Sequence, residues 1–288
     1  MTGHAMRIVL GGVRGSQPLS HPDFMRFGGA TTGVLVDNGV GCQIVFDAGT
    51  GLGTLAPLLA VSGPESPVLM LFTHYHLDHL IGLPFFSPLY DPNVHILFGA
   101  PAREGVTAEQ ALRRLMDKPF WPVPFRAQQR FLVLPEFCED APFRHGPFDV
   151  RWCAVHHQNG CHAYRVDERE SGVSMVFATD LEWGKSDKHE RDGLLRLCRE
   201  PAPADVLIME GHYDRQHLMG WGHSTWQEAV GVAQTAGVRQ LVITHLSPDD
   251  DDAVLTEREQ RICAVMPQAC LGRQGMVIDW TKGNHADA

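Results

Sequence analysis

Seven residues constrain this chain more than any others: Thr73-His74-Tyr75-His76-Leu77-Asp78-His79, directly after the apolar run Val68–Phe72. The run is bounded by Pro67 before and polar residues after, which predicts a buried strand. Three imidazoles and a carboxylate therefore stand where a strand's carboxyl end opens into a loop, the place where α/β proteins tend to bind ligands. His74 and His76 are two apart, so on extended backbone both point to one side. Asp78 and His79 follow as the chain turns into Leu80-Ile81-Gly82-Leu83, and face a second point. Nitrogen and carboxylate donors suit zinc, and less selectively manganese or iron. Seven residues cannot close two tetrahedral sites, so further donors have to come from elsewhere in the chain.

Other strand ends carry the same residue types. Met6–Leu10 reads as a strand that empties into Gly11-Gly12-Val13-Arg14-Gly15-Ser16, suited to close backbone approach rather than regular structure. No Gly-Lys-Ser/Thr ends it, so it is not a phosphate-binding P-loop. Arg14 either holds an anion or forms a salt bridge. Strands Gly33–Val36 and Cys42–Phe46 flank the turn Asp37-Asn38-Gly39. Asp47 then either orients a ligand histidine or caps backbone donors, and Leu52–Ala60 reads as a helix. Val94–Phe98 is a strand and Thr107–Asp117 a helix with Thr107 as N-cap. The aromatic, proline-rich stretch Pro119–Phe125 is either a packed loop or a cleft wall or dimer contact.

Further on, strand Phe148–Val155 ends in His156-His157-Gln158-Asn159-Gly160, before strand Cys161–Val166. Val173–Phe177 leads to Asp180, a carboxylate that either bridges two metals with its two oxygens or caps a helix. Val206–Met209 leads to Glu210-Gly211-His212-Tyr213. Gly220-Trp221-Gly222-His223-Ser224-Thr225 precedes the amphipathic helix Trp226–Ala236, with Ser224 as a reasonable N-cap. Gln240–Ile243 leads to His245, and Asp249–Asp252 reads as the charged first turn of helix Ala253–Val265.

Composition narrows the partners. Of 288 residues, 44% are hydrophobic and 20% charged, enough apolar material for a sizeable core. A net charge of −10 argues against a non-specific grip on a nucleic-acid backbone. Seven cysteines without a C-x-x-C pair, and no signal-peptide apolar region, suit reduced thiols in a cytoplasm. No apolar run approaches the ~18–20 residues of a membrane span.

The H-x-H-x-D-H run resembles the signature of the metallo-β-lactamase superfamily. The segments RGS…FGGATT…FDAGTGL and Gly-Trp-Gly-His-Ser resemble its ribonuclease Z-like and cyclic phosphodiesterase subgroup. Ala30 stands where asparagine is expected, Gln158 replaces a proline, and Glu210 stands where aspartate is frequent. The resemblance implies an α/β (α+β) fold, a four-layer αββα sandwich of two mixed sheets flanked by helices, with the metals at one edge. Because ligand-type residues span most of the chain, residues 1–288 are expected to form one domain, with 1–5 and 282–288 as loose ends.

The ligand set is also implied by the resemblance. His74, His76 and His157 hold one divalent ion, Asp78, His79 and His245 the other, and Asp180 bridges them. Alignment of Ala163-Tyr164-Arg165 favours His157, with His156 as an adjacent competitor. His223 and Asp78 are the catalytic candidates; Asp47, Arg14, His156, Glu210 and His212 are candidates for supporting or substrate contacts. Zinc is the first expectation, with manganese or iron as alternatives. The expected activity is a phosphodiesterase that acts on a small cyclic nucleotide or cyclic phosphate by activating water between two metals. A ribonuclease Z-like RNA endonuclease is the first alternative, although residues 99–150 lack a glycine-rich, basic arm. A lactone, thioester or other ester hydrolase follows, and an inactive metal-binding sensor comes last. Family habit and the Phe120–Phe125 stretch suggest a homodimer.

Overall fold

The computed structural model describes residues 6–60, 62–123, 125, 130–135, 141–214 and 221–280. The segments expected to be loose, 1–5 and 282–288, lie outside the described residues. Two seven-stranded sheets carry the chain. In spatial order the first is β14 (Met276–Trp280), β1 (Met6–Gly12), β2 (Gly33–Asp37), β3 (Gln43–Phe46), β4 (Val68–Leu71), β5 (Ile96–Pro101) and β6 (Arg130–Leu134). The second is β13 (Ala269–Leu271), β12 (Gln240–Thr244), β11 (Val206–Glu210), β10 (Ser174–Ala178), β9 (Cys161–Glu168), β8 (Phe148–Val155) and β7 (Phe143–His145). Each sheet has an antiparallel part, β14-β1-β2-β3 and β7-β8-β9-β10, that passes into a parallel part, β3-β4-β5-β6 and β10-β11-β12-β13.

Alternation along β4 explains why its sequence is apolar throughout. Leu69 and Leu71 enter the core between the sheets, while Val68, Met70 and Phe72 join a second core on the outer face. A strand covered on both faces has no reason to alternate with polar residues. Across the sandwich, Phe46 packs on Tyr164 and Phe177 with ring centroids 5.5 and 5.3 Å apart. Among the described residues five α-helices lie outside the sheets' hydrogen-bond ladders: α1 (Leu52–Leu55), α2 (Ala108–Leu115), α3 (Lys188–Arg199), α4 (Trp226–Ala236) and α5 (Asp252–Val265). The αββα layering expected from the resemblance is the observed one.

Some local expectations change. The helix expected over Leu52–Ala60 stops at Leu55 and tightens to a 3-10 turn over Ala56–Leu58, because Pro57 has no N–H to continue it. β1 runs on through Gly12 with an irregularity after Leu10, so the glycine stretch begins inside the sheet. β5 begins at Ile96 rather than Val94. Thr107 caps α2 through a reciprocal pair with Gln110, as expected. Helix α4 is capped by Thr225 and not by Ser224: Thr225 accepts from Glu228 N–H, whereas Ser224 Oγ donates to Leu181 O at 2.5 Å. Of the Asp249–Asp252 run, only Asp251 and Asp252 serve the start of α5; Asp250 pairs with Arg258. In the Pro119–Phe125 stretch, Trp121 and Phe125 pack against Phe85 and Phe98, while Phe120 is 80% exposed; Pro124 lies outside the described residues.

Candidate metal centre

The carboxyl ends of β3, β4, β8, β10, β11 and β12 meet at one edge of the sandwich. They deliver Asp47, the His74–His79 segment, His157, Asp180, Glu210 with His212, and His245. Among the described residues three groups of donor atoms form there: His212, His223 and His245 make one without a carboxylate, and the other two share Asp180. Of these two, one comprises His74, His76, His157 and Asp180, the other Asp78, His79, Asp180 and His245, and within each the donor atoms lie within 4.8 Å of one another. Asp180 divides its oxygens between them. Oδ2 is 3.4 Å from His74 Nε2 and 3.7 Å from His157 Nε2, while Oδ1 is 3.3 Å from His79 Nε2 and 3.1 Å from His245 Nε2. His157 Nε2 also lies 3.2 Å from His76 Nδ1, and Asp78 Oδ2 is 3.3 Å from His79 Nε2 and 3.4 Å from His245 Nε2.

Neighbouring groups set which ring nitrogen faces inward. His79 Nδ1 donates to Asp47 Oδ2 at 2.9 Å, and His157 Nδ1 donates to the Gly222 carbonyl at 2.8 Å. Thr73 Oγ1 donates to Asp47 at 2.8 Å, so it accepts from His74 Nδ1 at 3.0 Å. In all three rings Nδ1 holds a proton in an outward hydrogen bond, which turns Nε2 toward the cluster. Burial, opposed only in part by Asp180, pushes His74 well down and His157 to about 4, which keeps both in the uncharged, ligating form. His79 shows the complementary effect: burial disfavours its charge, but Asp180, Asp78 and Asp47 together raise it well above the ordinary histidine value. The second cluster is thus a place where positive charge is favoured. His74 Nε2 and His79 Nε2 are buried and find no hydrogen-bond partner among the described residues. Orphaned inward nitrogens, a shared carboxylate and His/Asp donors fit two divalent metal ions.

The backbone is bent to make this arrangement. Asp47, Asp180 and His245 all adopt left-handed conformations, with φ of 59°, 56° and 54°. Each follows a strand, and such a conformation costs a non-glycine residue about 1 kcal/mol or more. Asp180 therefore caps no helix. Gly15 is required by proximity: a Cβ there would lie 2.4 Å from the His245 ring.

Beside the clusters stands His223, whose Nδ1 is 3.0 Å from Glu210 Oε2. Burial works against charge on His223, but the Glu210 carboxylate outweighs it and lifts the imidazole to about 9. Glu210 itself is fully buried, and its other oxygen accepts from Leu181 N–H. His212 stacks on His223 with centroids 4.5 Å apart and donates from Nδ1 to the His245 carbonyl at 2.9 Å.

Two candidates fall elsewhere. Arg14 is fully buried and gives its N–H groups to the carbonyls of Gly28, Ser247 and Asp250 at 2.8–3.0 Å, with Asp252 at 3.9 Å. It ties loops together and is not available to an anion. His156 points away from the cluster to Glu190, 3.5 Å off, and only His157 enters it. Sequence reasoning also overlooked three supports. Thr73 is described above, Thr31 Oγ1 donates to the Asp78 carbonyl at 2.7 Å, and Ser16 N–H donates to Asp78 Oδ2 at 2.9 Å. Ser16 acts through its backbone, so its side chain carried no signal; Thr73 was visible only as a polar residue before His74, and Thr31 only as part of a glycine-rich stretch.

Comparison with known proteins agrees with this architecture. The family described as the Beta-lactamase superfamily domain matches residues 43–246, from β3 to just past His245. Ribonuclease Z of Brevibacillus brevis is 34% identical over 90 residues, which cover 30% of this chain and only 25% of that protein. Ribonuclease Z of Clostridium kluyveri is 23% identical over 253 residues, covering 72% of this chain and 80% of that protein. In fold, the chain is similar to the metallo-beta-lactamase fold protein YhfI from Bacillus subtilis, with a TM-score of 0.66, 20% identity and coverage of 95% and 99% of the two chains. It is similar to the short form of human tRNase Z as well, with a TM-score of 0.65, 22% identity and coverage of 94% and 98%. With the matched span taking in every donor of both clusters, the chain belongs to the beta-lactamase superfamily.

Proposed function

We propose that this chain is a dinuclear metal-dependent phosphodiesterase whose leading substrates are small cyclic nucleotides or cyclic phosphates. The observation that carries this reading is the Glu210-supported His223 beside two His/Asp clusters that share Asp180. Two divalent ions, zinc first among them, held by His74, His76 and His157 and by Asp78, His79 and His245 with Asp180 between, would lower the pKa of water and offset phosphate charge. Asp78, anchored through Oδ2 by Ser16 N–H, is the carboxylate placed to orient the attacking water. His223 gives its Nδ1 proton to the bond with Glu210, which leaves Nε2–H free to donate to a phosphoryl or leaving oxygen. The presence of this donor weighs toward a phosphodiester over a lactam or thioester. Six free cysteines among the described residues suit a reducing compartment, and we place the enzyme in the cytoplasm. We expect a homodimer.

A second reading is ribonuclease Z-like cleavage of precursor tRNA. It is supported by the alignment with the Clostridium kluyveri enzyme over 253 residues, and a phosphodiester in RNA makes the same demand on His223. The net charge of −10 and the absence of a glycine-rich basic arm in the sequence of residues 99–150 weigh toward small substrates. The test is a panel with zinc- and manganese-loaded protein: cyclic mononucleotides, bis(p-nitrophenyl) phosphate, a precursor tRNA and an acyl lactone. Turnover of cyclic nucleotides with tRNA untouched is the expected result. Cleavage of tRNA alone selects the second reading, and cleavage of the lactone alone overturns both.

A further inference from the structure

Beneath the His74–His79 loop lies a buried cation that the proposed chemistry does not use. Arg103 follows β5, is 5% exposed, and forms no ion pair with a carboxylate among the described residues. A buried guanidinium without a carboxylate is costly, and is tolerated only where it is hydrogen-bonded. Its partners are all at the carboxyl ends of two parallel strands: Nη1 donates to Pro101 O at 3.0 Å, and Nη2 donates to Phe72 O at 3.0 Å and to Thr73 O. Carbonyls at such ends have no further strand to pair with and must be satisfied some other way. Its Cζ lies over the ring of Tyr75, the residue between His74 and His76, 4.9 Å from the ring centroid. Its aliphatic stem is 3.8 Å from where a Cβ on Gly160 would sit, next to Asn159, whose amide is 3.4 Å from His76 Nε2.

The Thr73 peptide is therefore held from both sides. Asp47 takes its N–H at 2.8 Å, and His162 N–H at 3.0 Å and Arg103 take its carbonyl. His74 is the next residue, so the direction in which its ring leaves the strand follows from that clamp. Nothing comparable in Arg103's contacts reaches Asp78, His79 or His245.

We infer that Arg103 is the positioning residue of the His74–His76–His157 cluster: its fork fixes the strand end and its face fixes Tyr75, so losing it weakens divalent-metal binding there and spares the Asp78–His79–His245 cluster. This rests on the dinuclear reading above. Lysine keeps the charge but cannot span three carbonyls while stacking on a ring, so Arg103→Lys isolates the geometry.

The experiment is a cobalt(II) and zinc(II) titration against a competing chelator in wild type, Arg103→Lys and Tyr75→Leu. Thermal unfolding of each metal-free protein is measured in parallel. A His157→Ala variant marks which binding step belongs to the first cluster, whose three imidazoles also distinguish its cobalt spectrum from that of the second. Wild type should bind two ions. Arg103→Lys should weaken the first-cluster step by about 10–100-fold and leave the other within error. Tyr75→Leu, which retains the guanidinium's carbonyl bonds, should weaken the same step and keeps the inference testable should Arg103→Lys not fold. Two unchanged steps in both variants, or equal weakening of both steps in proportion to a fall in metal-free stability, overturn the positioning role. Failure of wild type to bind any ion overturns the dinuclear reading itself.

Discussion

His223 and Glu210 form the pair on which the proposed chemistry turns, and their behaviour with pH follows from their contact. Glu210 raises His223 to about 9 against the effect of burial, so in metal-free protein the pair's contribution to stability is complete below about pH 6.5. It is lost as pH rises through about 9, where the folded-state imidazole gives up its proton. Divalent ions in the adjoining clusters oppose that proton, so the alkaline limb of activity in the loaded enzyme falls below this value. Glu210→Gln removes the carboxylate and should move the limb further toward acid, read from kcat against pH. His223→Ala should keep both metals and lose about 10²–10⁴-fold in turnover, the range for a positioned acid. Loss of a metal in that variant would instead make His223 a ligand. Asp180→Ala should abolish activity and disturb both clusters, because each of its oxygens faces a different one.

Single elements place these residues through their ends. Thr225 starts α4 with a reciprocal pair to Glu228, and the two residues before it, His223 and Ser224, are thereby aimed into the edge of the sandwich. Thr225→Ala should cost about 1 kcal/mol, seen as a lower Tm, with a smaller effect on turnover than His223→Ala. The loop after β1 shows the same dependence in steric form. A Cβ at Gly15 would press on the His245 ring at 2.4 Å, so Gly15→Ala should displace His245. The expected outcome is one bound metal per chain rather than two, counted by elemental analysis, with the three-imidazole cluster still filled. Retention of two ions would show that the loop yields instead of the ring.

At the level of the molecule, each cluster draws on both sheets. His74, His76, Asp78 and His79 come from the end of β4 in the first sheet, whereas His157, Asp180 and His245 come from the ends of β8, β10 and β12 in the second. A bound ion therefore links the two layers at the edge. Ions that bind only the folded state stabilise it, by about 2.7 kcal/mol for each site at a free concentration 100 times its Kd. Removal with a chelator should lower Tm, and restored zinc should return it. An unchanged Tm would mean that the ions do not bind the folded edge. No helix among the described residues is long and apolar enough to cross a membrane.

The sequence by itself determined which residues could carry the chemistry and where they stood along strands. Val68–Phe72 declared its strand by being apolar throughout, and its ending in His74–His79 placed the donors at a carboxyl end. Local signals of this kind need only a few neighbouring residues, which is why the helix Trp226–Ala236 and the strand Phe148–Val155 were legible to the residue. What is set by contacts distant in sequence was not legible. The strand β14 pairs with β1 across some 270 residues, and α3 hides its narrow apolar stripe among charged residues, though its Asp187–Glu190 capping pair offered a signal. The choice of His157 over His156 and the burial of Arg14 depended on what lay opposite. Arg103's place beneath the loop did so too. Only the tertiary structure decided these, because a side chain's role in a site follows from the atoms packed around it, and those come from strands that the chain reaches much later.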